Sequence, residues 1–247
     1  MLRKVTLRLD RLPPWMVLAA RPGLRGFRNW NDLRRLEPML CRVRPLTMLP
    51  DERLLQLARL VREVLAKQIC GDFVQCGVWR GGAAFLIAQM LAEAGVRDPK
   101  VWLFDSFQGL PPPTEHDGPE ALSFAKKAAL PETYYNCTAS LAEVTRSADE
   151  LGLSSRLRFV EGRFEDTLPI HSQHIGSIAL LHIDADWYAS VRCCLETLYD
   201  QVAGGGVIII DDYYDWDGCA IALHEFLGNR HLRHRLHGES EAWFWKV

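Results

Sequence analysis

The 247-residue chain reads as an α/β protein: a doubly wound, mostly parallel sheet of seven strands that ends in an antiparallel C-terminal hairpin. Three observations predict this. Short apolar runs rich in β-branched residues alternate with helical patterns along almost the whole length. Those runs show little polar alternation, as expected of parallel strands buried on both faces. The acids that stand out sit at the carboxyl ends of the runs, where ligands bind in such sheets.

Residues 1–48 lack clear periodicity and are rich in Arg and Pro, so they read as an irregular or partly helical arm ahead of a domain spanning residues 49–247. Residues 51–68 read as a helix. Pro50 and Asp51 open it, and Leu54, Leu57, Val61, Val64 and Leu65 recur at steps of three and four. The first strand is Asp72–Cys76, followed by the turn Gly77–Gly82 and a helix over about 83–94, with Gly95 as its stop. Val101–Asp105 is the second strand. Residues 108–135, with Pro111-Pro112-Pro113, form a long connection and a candidate lid. A helix over about 140–151 leads to the third strand, Leu157–Glu161. The fourth strand ends at Asp184, and a helix over about 189–199 follows. Gly204-Gly205-Gly206 turns into the fifth strand, which ends at Asp211, and a helix over about 219–227 comes next. Residues 232–236 and 242–246 read as the terminal hairpin.

Composition bounds the function. An apolar fraction of 48% allows a full core, and no run of 18 apolar residues predicts a membrane span. The net charge of −2 hides an asymmetry, because residues 1–45 hold ten Arg and one Lys against Asp10, Asp32 and Glu37. Such an arm can meet an anionic partner, but a solvated arm is the simpler reading, and no nucleic-acid partner is expected. Seven cysteines without a CxxC spacing suit a reducing cytoplasm. Cys76, beside the glycine turn, lacks a recognisable His partner for nucleophilic work.

Four aspartates carry most of the chemistry. Asp184 and Asp186 end one buried strand, and Asp211 and Asp212 end another. Helix capping explains one acid per strand end, not two at each of two ends. Clustered carboxylates repel unless a cation shares their charge, and all-oxygen ligands suit a hard cation such as Mg²⁺. The turn Gly77-Val78-Trp79-Arg80-Gly81-Gly82 lets a ligand approach the backbone before a helix N-terminus. It is neither the spaced GxGxxG nor a P-loop. Asp105, ending the second strand, is placed for the hydroxyls of a ribose, or else braces its loop. A nucleoside cofactor such as S-adenosylmethionine fits both features. A cation that activates an alcohol, a carboxylate base and a sulfonium methyl together make O-methyl transfer the coherent reaction.

These residues resemble a known family, the macrocin O-methyltransferases that methylate antibiotic sugars. Gly71 to Gly82 is similar to the family's first motif, Phe104-Asp105-Ser106-Phe107-Gln108-Gly109 to its second, and His182 to Tyr188 with Asp211-Asp212-Tyr213 to its metal motifs. Arg44-Pro45-Leu46-Thr47-Met48 resembles a segment upstream of the first helix. The resemblance implies a class I methyltransferase fold, S-adenosylmethionine and Mg²⁺. It implies that Asp184, Asp211 and Asp212 hold the metal and that Asp186, or alternatively Asp184, is the general base. Gly77, Arg80, Gly81 and Gly82 would face the methionine part and Asp105 the ribose. Ser106, Gly162 and Arg163 would lie near the adenine, and Thr47, Gln75, Val78 and Asp184 complete the expected cofactor contacts. Gln75 departs from the family's usual Glu, which removes a charge near the cofactor.

The expected acceptor is a hydroxyl of a sugar or glycosylated small molecule, and the chain is a possible homo-oligomer. Trp79, Trp187 and Trp216 are available for stacking on an acceptor ring, or for packing. Two rival readings remain at this point: an NAD-dependent Rossmann oxidoreductase, and a non-catalytic binding protein on a methyltransferase fold.

Overall fold

The computed structural model describes residues 30–128 and 137–247. The first part of the basic arm and residues 129–135 of the candidate lid lie outside it. In chain order the elements are α1 (Trp30–Val43), α2 (Asp51–Ala66), β1 (Asp72–Cys76), α3 (Gly82–Glu93), β2 (Val101–Asp105), α4 (Gly118–Ala128) and α5 (Leu141–Glu150). Then follow β3 (Leu157–Glu161), α6 (Phe164–His171), β4 (Ile178–Ile183), α7 (Tyr188–Leu198), β5 (Val202–Ile210), α8 (Asp217–Asn229) and β6 (Ala242–Trp245).

The sheet order is β3-β2-β1-β4-β5-β6. The first five strands are parallel, and β6 runs antiparallel to β5. Strand order reverses between β1 and β4, and this is the switch point at which open α/β sheets bind ligands. Register across it is specific: Gln75 lies beside His182, and Cys76 beside Ile183.

Alternation along each strand sends side chains to two cores, one on each face of the sheet. Phe73, Leu103, Leu180 and Ile209 join the helices α1, α2, α3 and α5. Val74, Phe104, Leu181 and Ile208 join α7 and α8. Helix α3 is buried from Gly82 to Leu91, and Gln89, the one polar side chain in that run, donates to the Phe85 carbonyl. Helix α2 shows the predicted one-sided stripe, with Asp51 and Glu52 in its first turn, where the helix dipole favours acids. Helix α5 opens on a reciprocal cap in which Ser140 and Glu143 satisfy each other's backbone N–H.

Four features depart from the sequence pattern. Helix α1 folds out of the region read as an arm and buries Leu36, Leu40 and Val43 in the first core. At about 1.5–3 kcal/mol for each large buried side chain, that docking is integral to the fold. Helix α4 forms inside the candidate lid. Helix α6 forms despite Pro169 within it, and only Thr167 and Leu168 are buried there, so it leaves almost no periodic signal. The fourth is a correction: the sheet has six strands among the described residues, not seven. Residues 232–236 do alternate, but Leu232 and Leu236 pack on the second core instead of pairing with β6. His234 lies between them. Its Nε2 meets the Tyr199 hydroxyl at 2.7 Å, and its ring stacks on Phe244. A lone bridge from His237 to Trp243 is what is left of the hairpin. No helix among the described residues is long and apolar enough to cross a membrane.

Candidate active site

A cavity of about 800 Å³ opens at the carboxyl ends of β1, β2, β4 and β5. Its lining brings together Thr47, Gln75, Gly77, Val78, Asp105, Ser106, Gly162, Arg163, Asp184, Asp186, Asp211 and Asp212. Arg80, Gly81 and Gly82 are not in that lining. Arg80 is exposed and lies over the Trp79 ring at 4.9 Å.

One half of the cavity is built from backbone. Gly77 has φ +87, and a Cβ there would overlap the carbonyl of Asp184. The glycine therefore lets the turn after β1 lie against the end of β4. A Cβ on Gly82 would come within 2.7 Å of the Leu46 carbonyl oxygen, so this position holds the Arg44–Met48 segment against the turn. The Asp105 carboxylate accepts from the N–H groups of Val78 (2.6 Å), Trp79 (3.1 Å) and Phe107 (2.7 Å). It thus braces the turn, and a carboxylate's roughly four acceptor positions leave room for one more donor. Ser106 donates to the Gly109 carbonyl and braces its own loop. Gln75 is 1% exposed, and its Oε1 meets no partner among the described residues. Buried polar atoms are normally paired, so an acceptor left open at the cavity wall suits a ligand donor such as an ammonium.

The other half is built from charged side chains. Carboxylate oxygens of Asp184, Asp211 and Asp212 lie within 4.8 Å of one another. Burial pushes the carboxyls of Asp184 and Asp212 well above the usual carboxylate range, and neighbouring acids add to it: Asp211 for the first, Asp186 for the second. An all-oxygen set in which charge is this costly fits a hard divalent cation. Asp186 stands apart from the three. Its backbone is left-handed (φ +54), and its N–H donates to Asp212 Oδ2 at 3.2 Å. Its Oδ1 accepts from the Trp216 indole at 3.1 Å. Burial raises the Asp186 carboxyl to about 7, against the opposing pull of that indole N–H.

Arg53, on α2, lies outside the sequence expectation. Its side chain, 12% exposed, donates to Asp211 Oδ2 at 2.7 Å and to Asp215 Oδ2 at 2.5 Å. Burial opposes its charge, but the two carboxylates outweigh that, so the guanidinium stays protonated. Nothing local marks it, because its partners follow β5 and helix periodicity explains only its neighbours. Asp117 is a second addition. It is 1% exposed, accepts from the Tyr188 N–H at 2.6 Å and from the Thr114 N–H at 2.6 Å, and a side chain at Gly218 would overlap it. It fastens the segment before α4 to the start of α7. Trp187 lines the cavity and donates to the Pro111 carbonyl, and it packs edge-on against Trp216 at 5.2 Å. Cys76 is fully buried, as a packing residue is. Burial pushes the cavity-lining thiol of Cys137 up to about 12, and the aspartates add to that. His182 is buried, with Nε2 3.5 Å from Asp211 Oδ1.

A family model described as Macrocin-O-methyltransferase (TylF) matches residues 31–246. The chain belongs to the macrocin O-methyltransferase family. Macrocin O-methyltransferase relatives include Demethyldecarbamoylnovobiocin O-methyltransferase of Streptomyces niveus, 36% identical over 181 residues, covering 73% of this chain and 67% of the relative. Another is 8-demethyl-8-(2,3-dimethoxy-alpha-L-rhamnosyl)-tetracenomycin-C 4'-O-methyltransferase of Streptomyces olivaceus, 34% identical over 183 residues, covering 74% and 67%. The solved structure of the O-methyltransferase NovP superposes with a TM-score of 0.71 at 33% identity, covering 82% of each chain. This macrocin O-methyltransferase family member is therefore an S-adenosylmethionine-dependent O-methyltransferase with a class I fold. Membership sets aside both the NAD-dependent oxidoreductase and the non-catalytic binding protein.

Proposed function

We propose that this methyltransferase acts on a hydroxyl of a sugar or glycosylated small molecule, with Asp184, Asp211 and Asp212 holding Mg²⁺ and Asp186 taking the proton. The observation that carries this reading is the closeness of three carboxylates beside a fourth that is oriented separately. The rhamnosyl group in the name of the Streptomyces olivaceus relative supports a sugar acceptor.

S-adenosylmethionine, when bound, supplies a methyl on a sulfonium that is already a good leaving group. The backbone half of the cavity suits it: Gly77 and Val78 offer main chain, Gln75 Oε1 an open acceptor, and Asp105 its remaining capacity toward a ribose. Thr47, Ser106, Gly162 and Arg163 line the same half, while Arg80, Gly81 and Gly82 shape the turn from outside it. Mg²⁺, when bound, lowers the pKa of the acceptor hydroxyl and fixes its oxygen. Asp186 lies on the cavity wall with Oδ1 held by Trp216, which leaves Oδ2 to accept the hydroxyl proton. Trp187, Pro111 and Pro112 wall the cavity nearby and would exclude water from the acceptor side. In this reading α1 and the Arg44–Met48 segment belong with residues 49–247 in the catalytic domain, and the start of the insertion, from Gln108 to Asp117, walls the acceptor side. That no disulfide forms among the described residues suits a cytoplasmic setting.

The test is methyl transfer to a panel of glycosides with and without chelator. Activity should vanish with EDTA and return with Mg²⁺. Full turnover under chelation removes the metal, and transfer confined to aglycone hydroxyls removes the sugar.

A further inference from the structure

Asp211 is the member of the acidic set that already has a cationic partner. Arg53 Nη1 lies 2.7 Å from its Oδ2, and Nη2 of the same fork lies 2.5 Å from Asp215 Oδ2. Arg53 Nε is buried without a hydrogen-bond partner and lies 3.9 Å from Glu241 Oε2. The guanidinium is thus fixed between the turn after β5 and the residue before β6. It also lines the cavity, so its contact with Asp211 is at the site itself. A planar fork held by two carboxylates cannot turn away from one without losing the other.

That contact limits what Asp211 can offer. A carboxylate can bind a cation through one oxygen or through both. Gripping with both would require Oδ2 to face a divalent ion and a guanidinium at once. The oxygen that carries no guanidinium is Oδ1, with His182 Nε2 at 3.5 Å. Calcium favours six to eight oxygens and readily takes a carboxylate by both, whereas magnesium demands a compact octahedron of single oxygens. Building on the Mg²⁺ reading above, we propose that Arg53 is a positioning residue that sets cation choice, favouring Mg²⁺ over Ca²⁺ by occupying one oxygen of Asp211.

Absolute affinity is the wrong readout, since removing a positive charge draws in every divalent cation more strongly. The ratio of the two affinities cancels that effect and reports geometry. The experiment titrates the full chain with MgCl₂ and with CaCl₂ by calorimetry, for wild type, Arg53→Met, Arg53→Lys and Asp215→Asn. Arg53→Met keeps the apolar stem and removes the fork. The preference for Mg²⁺ over Ca²⁺ should fall by about tenfold, a difference of about 1.4 kcal/mol between the two binding free energies. Arg53→Lys keeps the charge without the fork and should fall between the two. Asp215→Asn unfastens only the outer arm, at a side chain 46% exposed, and should shift the ratio in the same direction by less.

If wild type binds a divalent cation and both Arg53→Met and Asp215→Asn keep its preference within about twofold, Arg53 is a structural clamp and the proposal falls. Should Arg53→Met fail to fold, Asp215→Asn decides alone by the same criterion. If wild type binds neither cation, the Mg²⁺ reading fails first and takes this role with it.

Discussion

The two halves of the cavity are built from opposite materials. Around β1 and β2 the wall is main chain, glycine and one unsatisfied amide, and its single carboxylate, Asp105, is occupied by three backbone N–H groups. Around β4 and β5 the wall is charge: four carboxylates and one guanidinium, with the Trp216 indole N–H behind Asp186. The first half depends on close approach, and the second on electrostatic balance. Substitutions in the two should therefore fail in different ways, shape defects on one side and charge defects on the other.

The strongest way to break that contrast is Asp186→Asn. It is nearly isosteric and keeps an acceptor for Trp216, so the fold and cofactor binding should survive. Turnover should fall about 10²–10⁴-fold, the usual weight of a general base. Calorimetry with S-adenosylmethionine beside the rate assay checks both claims. Near-normal turnover would hand the base role to Asp184. Next in size is Gly77→Ala. A methyl at φ +87 facing the Asp184 carbonyl costs at least about 1–3 kcal/mol in a strained backbone region. The melting temperature and the cofactor affinity should drop together. A variant that melts like wild type would mean the turn is looser than the contact implies. The smallest effect sharpens the contrast. Gln75→Leu removes a buried acceptor that meets no partner among the described residues. Cofactor affinity should weaken by about 0.5–1.5 kcal/mol, while the protein without cofactor melts no lower than wild type. Lost stability without cofactor would show that Oε1 already has a partner.

The sheet was readable because its strands are short runs rich in apolar residues and set off by turns and helical patterns. Asp72–Cys76, Val101–Asp105 and Leu157–Glu161 fall where the pattern put them. The C-terminal alternation misled because period two reports which side chains are buried, not whether the backbone pairs. Residues 232–236 bury their alternate side chains without a ladder. Helix α6 was hidden by Pro169, and α1 by an arginine-rich sequence whose apolar stripe is only three residues deep. Within the site, acids at strand ends were visible because topology alone gathers them. Arg53 was not, since its partner Asp211 lies 158 positions away and helix geometry gives no sign of it. Asp117 sits in a stretch without periodicity, and its role depends on the space left by Gly218.

That last pairing has an evolutionary consequence. The stretch from Pro111 through α4 is seated on the methyl-transfer scaffold by a buried carboxylate in a socket left by an absent side chain, by the Trp187–Pro111 hydrogen bond and by Phe124 against Trp187 and Trp216. A part seated in this way is exchangeable. The rest of the stretch, and with it the shape of the acceptor wall, is free to vary while Asp117 and Gly218 keep the docking constant. New acceptors could then be sampled without disturbing the aspartates.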